Sequence, residues 1–130
     1  MNLEIQYLIY SAALGLAQIL AGAGLSTLQR GVQWNLSARD SNPVPLQGKA
    51  ARMERCLANF KETFPLFIDG VFAITYLQKT SSQTALASQI YFVARLLNIP
   101  LYIFGVPYLR TLVWAGATIS ICYLFCAALG

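Results

Sequence analysis

Apolar and polar stretches alternate along this chain in a way that predicts four long helices. Apolar runs cover about residues 7–28, 85–104 and 109–129. Each is long enough, as a helix, to cross a hydrocarbon core of ~30 Å. A further helix is predicted over about residues 47–78; it is polar in its first part and apolar over about 60–78. Pro65 lies inside that helix, where a kink is expected. Residues 29–46 turn polar, and Asp40, Ser41 and Asn42 with Pro43 and Pro45 predict a loop. Residues 79–83 and 105–107 predict the two remaining turns. The expected fold is an all-α membrane protein: one domain over residues 1–130, arranged as a four-transmembrane-helix bundle. Ala12, Ala13, Gly15, Ala17, Ala21 and Gly22 give the first span a close-packing character.

Composition sharpens this reading. Charged residues make up 11% and apolar residues 57% of the chain, against about 25% charged in a soluble domain. Arg30, Arg39, Lys49, Arg52, Arg55, Lys61 and Arg110 gather on one predicted membrane side, and Lys79 stands on the other. The basic side is therefore expected in the cytoplasm, with both termini outside, and the net charge of +4 implies no nucleic acid. Met1-Asn2-Leu3-Glu4 lacks the basic start of a signal peptide, so the first run is expected to be a retained helix. There is no histidine, which removes the commonest metal ligand and general base, and no metal centre is expected. Cys56, Cys122 and Cys126 match no disulfide or metal spacing; Cys122 and Cys126, one turn apart, are expected to be packing residues.

Two polar stripes carry the candidate chemistry. Arg52, Arg55, Asn59, Glu62 and Asp69 share one face of the second long helix, at spacings of three, four, three and seven. Tyr91, Arg95, Asn98 and Tyr102 share one face of the third, at spacings of four, three and four. A charge at membrane depth costs at least ~2.5 kcal/mol, so partners or a polar ligand must offset it. Pairing of Asp69 with Arg95 across helices is one expectation. Yet four guanidiniums (Arg52, Arg55, Arg95, Arg110) exceed what the nearby acids need, and arginine cannot discharge by losing its proton. The excess favours a small polyanion; one with two carboxylates and an amine would suit, the amine meeting Glu62.

The motif Arg55, Asn59, Glu62, then Thr63-Phe64-Pro65-Leu66-Phe67, resembles the signature of the MAPEG family, the membrane-associated proteins in eicosanoid and glutathione metabolism. Ala94-Arg95-Leu96, Tyr102 seven residues after that arginine, and Arg110-Thr111 opening the last span are similar to the family's third and fourth helices. Asn98 stands where the prostaglandin E synthase branch has His, and Thr63 where the leukotriene C synthase branch has Tyr. The chain looks more like a bacterial-type member similar to the microsomal glutathione transferases.

This resemblance implies a homotrimer in the bacterial inner membrane that binds glutathione as co-substrate between neighbouring subunits, near the cytoplasmic face. Arg55, Asn59 and Glu62 would hold the glutathione backbone, with Glu62 on its amino group. Arg95 and Tyr102 would meet its carboxylates or line the pocket, Arg52 and Asn98 complete the candidate binding set, and Arg30 or Arg39 would supply a further contact from the first loop. Arg110 would be catalytic, because a cation beside a thiol lowers its pKa from about 8.5 toward neutrality. The thiolate would attack a hydrophobic or lipid-like second substrate arriving from the membrane lipids, in a transferase or peroxidase reaction serving detoxification. The same fold also admits a non-catalytic lipid- or partner-binding protein, and a small transporter is a third possibility.

Overall fold

The computed structural model describes residues 2–39 and 44–130. Helix α1 spans Leu3–Arg30, capped by Asn2, whose side-chain oxygen accepts from the Ile5 amide at 2.9 Å. It ends at Gly31, whose φ of 91° only glycine adopts without strain. A short helix α2 follows at Val32–Leu36, then α3 at Gly48–Tyr76, α4 at Ser82–Ile103 and α5 at Pro107–Leu129. Reciprocal bonds between Ser81 and Thr84 cap α4, and α5 opens on a proline, where a missing N–H costs nothing.

Several boundaries differ from the sequence expectation. The polar stretch after the first span is not all loop, since α1 continues to Arg30 and α2 occupies part of it. The Asp40-Ser41-Asn42-Pro43 cluster lies outside the described residues. The Ser81 cap starts α4 a few residues earlier than its apolar run, and α3 continues as one helix through Pro65.

Helices α3 and α4 form the centre: each packs on the other, and both contact α1 on one flank and α5 on the opposite flank. Phe67, Val71 and Ile74 of α3, Ala87, Tyr91 and Ala94 of α4, and Ala117, Ile121 and Leu124 of α5 make the apolar core. The Phe67 and Tyr91 rings stack there at 4.0 Å.

Beside this core, burial departs from that of a soluble domain. Glu4, Ser11, Gln18, Thr63, Thr84, Ser88, Arg95, Asn98 and Ser120 are buried, whereas Leu16, Leu20, Phe72, Leu112 and Ile119 face outward. Lipid solvates such an apolar exterior, and small or polar residues hold the helices together inside. Helices α1, α4 and α5 are each long and apolar enough to cross a membrane. Helix α3 falls short of that apolarity because Lys49, Arg52, Glu54, Arg55, Lys61 and Glu62 crowd its first half. Cys122 and Cys126 are exposed, contrary to the packing role expected of them. Helix α5 buries Ala117, Ser120, Ile121 and Leu124, and both thiols fall on its other side.

Gly15 is the tightest point between α1 and α3. A Cβ there would sit 2.7 Å from the Phe60 ring. Phe60 cannot swing away easily, since it is buried, stacks on Phe64 at 5.0 Å and lies under the Arg95 guanidinium at 5.5 Å. Gly15→Ala is therefore expected to destabilise the folded protein by about 1–3 kcal/mol, the usual cost of overpacking. Unfolding by dodecyl sulfate in mixed micelles measures it, and an unchanged midpoint would contradict the packing described.

Candidate functional site

The central position of α3 and α4 brings the two polar stripes together at one point. Arg95 is only 1% exposed, and its Nη1 donates to the Asn59 side-chain oxygen at 2.7 Å. Among the described residues, its Nε and Nη2 are buried without a hydrogen-bond partner. Asn98, one turn along α4 and 1% exposed, has neither its amide nitrogen nor its oxygen partnered. A buried polar group left unpartnered costs ~1–3 kcal/mol, and more when charged. Native interiors seldom retain several such atoms side by side, and where they do, a ligand or ordered water is the usual explanation.

Asn59 also faces outward. With Tyr102, Arg110, Thr111 and Trp114 it lines a cleft of about 200 Å³ between α3, α4 and α5. The Arg110 guanidinium lies 4.7 Å above the Tyr102 ring, a cation–π contact that holds the charge at the cleft wall. The cleft therefore combines a cation, a carboxamide, a phenol and a threonine hydroxyl with an indole ring. Such a set suits a small anionic molecule with its own amide groups.

The other candidates sit elsewhere. Arg55 and Glu62 are exposed on α3, and among the described residues no hydrogen bond reaches either side chain. Arg52, expected as a ligand of glutathione, donates from Nη1 to the Ile103 carbonyl at 2.9 Å. In the single chain it completes the end of α4. Asp69, expected to pair with Arg95, does not; it is exposed, and Arg95 turns to Asn59. The separation explains this, because Asp69 lies almost three helical turns beyond Asn59. Tyr91 belongs to the interior, where its hydroxyl lies 3.0 Å from that of Thr63. Arg30 and Arg39 cover the Trp34 ring at 5.0 and 5.1 Å and bond the Val44 and Asn35 carbonyls, respectively.

Sequence reasoning missed a third polar line. Glu4, Ser11, Gly15 and Gln18 are the buried residues of α1. The Glu4 carboxylate accepts from Thr84 at 2.6 Å, and Gln18 accepts from the buried Cys56 thiol at 3.5 Å. The repeat of seven from Glu4 to Ser11 to Gln18 was the available signal, masked by the small residues around it. Thr111 and Trp114 were also missed as cleft residues.

No match is found among curated proteins. The model of the MAPEG family matches residues 7–130, and the chain, an integral membrane protein, belongs to that family of proteins in glutathione and eicosanoid metabolism.

Proposed function

We propose that this protein is a glutathione-dependent transferase or peroxidase acting on hydrophobic electrophiles. The observation that carries the reading is the cleft in which Arg110, Tyr102 and Asn59 converge, backed by the unpartnered Arg95 nitrogens and Asn98 amide. Glutathione fits this donor set: its two carboxylates answer Arg55 and Arg95, and its peptide groups match Asn59 and Asn98. When bound it supplies a thiol, and Arg110 is the cation that favours the thiolate there. The apolar surface around the cleft admits a lipid-like electrophile directly from the bilayer.

Four membrane-spanning helices, with both termini outside and the basic side in the cytoplasm of a bacterial inner membrane, are part of the same proposal. So is a homotrimer. Arg55 and Glu62 stand exposed beside the cleft-lining Asn59 on the same helix. A neighbouring subunit against that face would bury them and complete the pocket, with Glu62 set to meet the glutathione amine. A non-catalytic lipid-binding role is the second reading, favoured by the apolar groove of about 370 Å³ lined by Leu86, Ile90, Val93, Leu97, Val113 and Gly116.

Thermal unfolding of the detergent-purified protein, with and without glutathione, separates the two. Glutathione at a hundredfold excess over its Kd is expected to stabilise the wild type by ~2.7 kcal/mol. Glu62→Ala is expected to lose that gain while keeping the unliganded midpoint. A wild type unmoved by saturating glutathione would rule out the transferase reading and leave lipid binding.

A further inference from the structure

We infer that Arg52 is a positioning residue for Arg110, acting through the turn between α4 and α5 without touching substrate. The inference rests on the reading of Arg110 as the thiolate-stabilising cation. An α-helix ends with four backbone carbonyls that have no partner inside the helix. At the end of α4, the Phe104 amide bonds to the Pro100 carbonyl, Val106 to Leu101 and Gly105 to Tyr102, at 2.9, 3.0 and 3.2 Å. Ile103 is the carbonyl these bonds leave over, and Arg52 supplies its donor from a point 51 residues earlier in the chain. That cation also lies favourably at the negative end of the α4 dipole.

Gly105 makes room for the contact. Its φ of 67° favours glycine, and a Cβ there would stand 3.4 Å from the Arg52 guanidinium carbon. One turn earlier on α3, Lys49 lies over the Phe104 ring at 5.9 Å. The polar start of α3 thus grips the α4–α5 turn on both sides. What the turn fixes is the entry of α5. Pro107 begins that helix, Arg110 sits in its first turn, and the Tyr102 ring beneath Arg110 belongs to the residue before Ile103. Releasing Ile103 lets the turn and the first turn of α5 shift relative to Asn59, and Arg110 leaves its place in the cleft. The opposite end has a parallel arrangement, far from Arg110: Lys79 donates to the Ala128 carbonyl of α5 at 2.8 Å.

Two measurements decide the matter. The first needs no glutathione. In a Trp34→Phe background Trp114 is the remaining tryptophan, and iodide, an anionic quencher, is drawn to it by Arg110. Arg52→Gln and Gly105→Ala are each expected to lower iodide quenching toward the Arg110→Ala value, with quenching by neutral acrylamide unchanged. Lys79→Gln should leave both as in the wild type. The second measurement is turnover with glutathione and an activated aryl halide. Arg52→Gln should keep KM for glutathione within about twofold while kcat falls about tenfold, the cost of misplacing a reacting group by under an ångström. Arg52→Lys should recover part of it, and adding Gly105→Ala to Arg52→Gln should cost little more.

Unchanged iodide quenching in both variants would overturn the inference. So would loss of glutathione binding in Arg52→Gln, which would make Arg52 a direct ligand. A wild type that ignores glutathione would remove the functional reading, and the iodide comparison would still settle whether Arg52 positions Arg110.

Discussion

Arg110→Ala is expected to lower turnover by about 10²- to 10³-fold while leaving the fold and glutathione binding nearly intact. The magnitude is that of removing one preorganised group aimed at developing negative charge. Arg110 is half-buried at the cleft wall, rests on the Tyr102 ring and is outside the apolar core, so its loss opens no cavity. The pH profile adds a second signature with a definite sign. A cation beside the bound thiol lowers its pKa, so the thiolate is present from near-neutral pH upward. Without Arg110 the thiol ionises near its ordinary value of about 8.5, and activity recovers only as pH rises through that range. The rate deficit should therefore shrink steadily toward alkaline pH. A deficit that is constant across pH would mean that Arg110 acts on the electrophile or on folding and not on the thiol.

How legible this was in the sequence depends on which pattern each residue belongs to. The helices were readable because three of them are long apolar runs and the fourth carries a stripe at helical spacing. Their ends were less so, because a cap such as Asn2 or Ser81 extends a helix beyond the apolar residues that announce it. Asn59, Tyr102 and Arg110 were named from their stripe and motif, and the structure brings these three together. Arg52 was placed with them because it shares their face. Periodicity says which residues point the same way, and it is silent on whether another chain segment meets them first. A backbone carbonyl 51 residues away has no signature in the sequence. The Asp69–Arg95 pairing failed for a related reason: opposite charge was used as a guide where height along the helices decides. Gln18 was overlooked because hydropathy averages hide one polar residue in an apolar run, although inside a membrane a lone glutamine has few places to go but inward.

Asn59→Ala and Arg95→Met are expected to move stability and function in separable ways. Asn59 accepts the one hydrogen bond that Arg95 makes among the described residues. Removing it leaves a buried guanidinium with three unpartnered donor groups in a low-dielectric interior, at a cost of about 2–3 kcal/mol for a bond to a charged group. Arg95→Met takes away the charge itself. The thioether fills most of the volume over Phe60, the desolvation cost disappears, and the Asn59 amide can turn toward the open cleft. Replacing a buried charge by an apolar side chain of similar size is often neutral or stabilising. The dodecyl sulfate midpoint should accordingly fall for Asn59→Ala and hold or rise for Arg95→Met. The double variant should be more stable than the sum of the two single changes gives, because Asn59→Ala costs its hydrogen bond only while the guanidinium is there to lose it. Glutathione should nevertheless fail to stabilise Arg95→Met, because the unpartnered nitrogens are the feature kept for a ligand. A site retained at a cost in stability behaves in this way. If Arg95→Met unfolds easily and Asn59→Ala does not, the guanidinium is a structural strut and the unpartnered nitrogens belong to buried water.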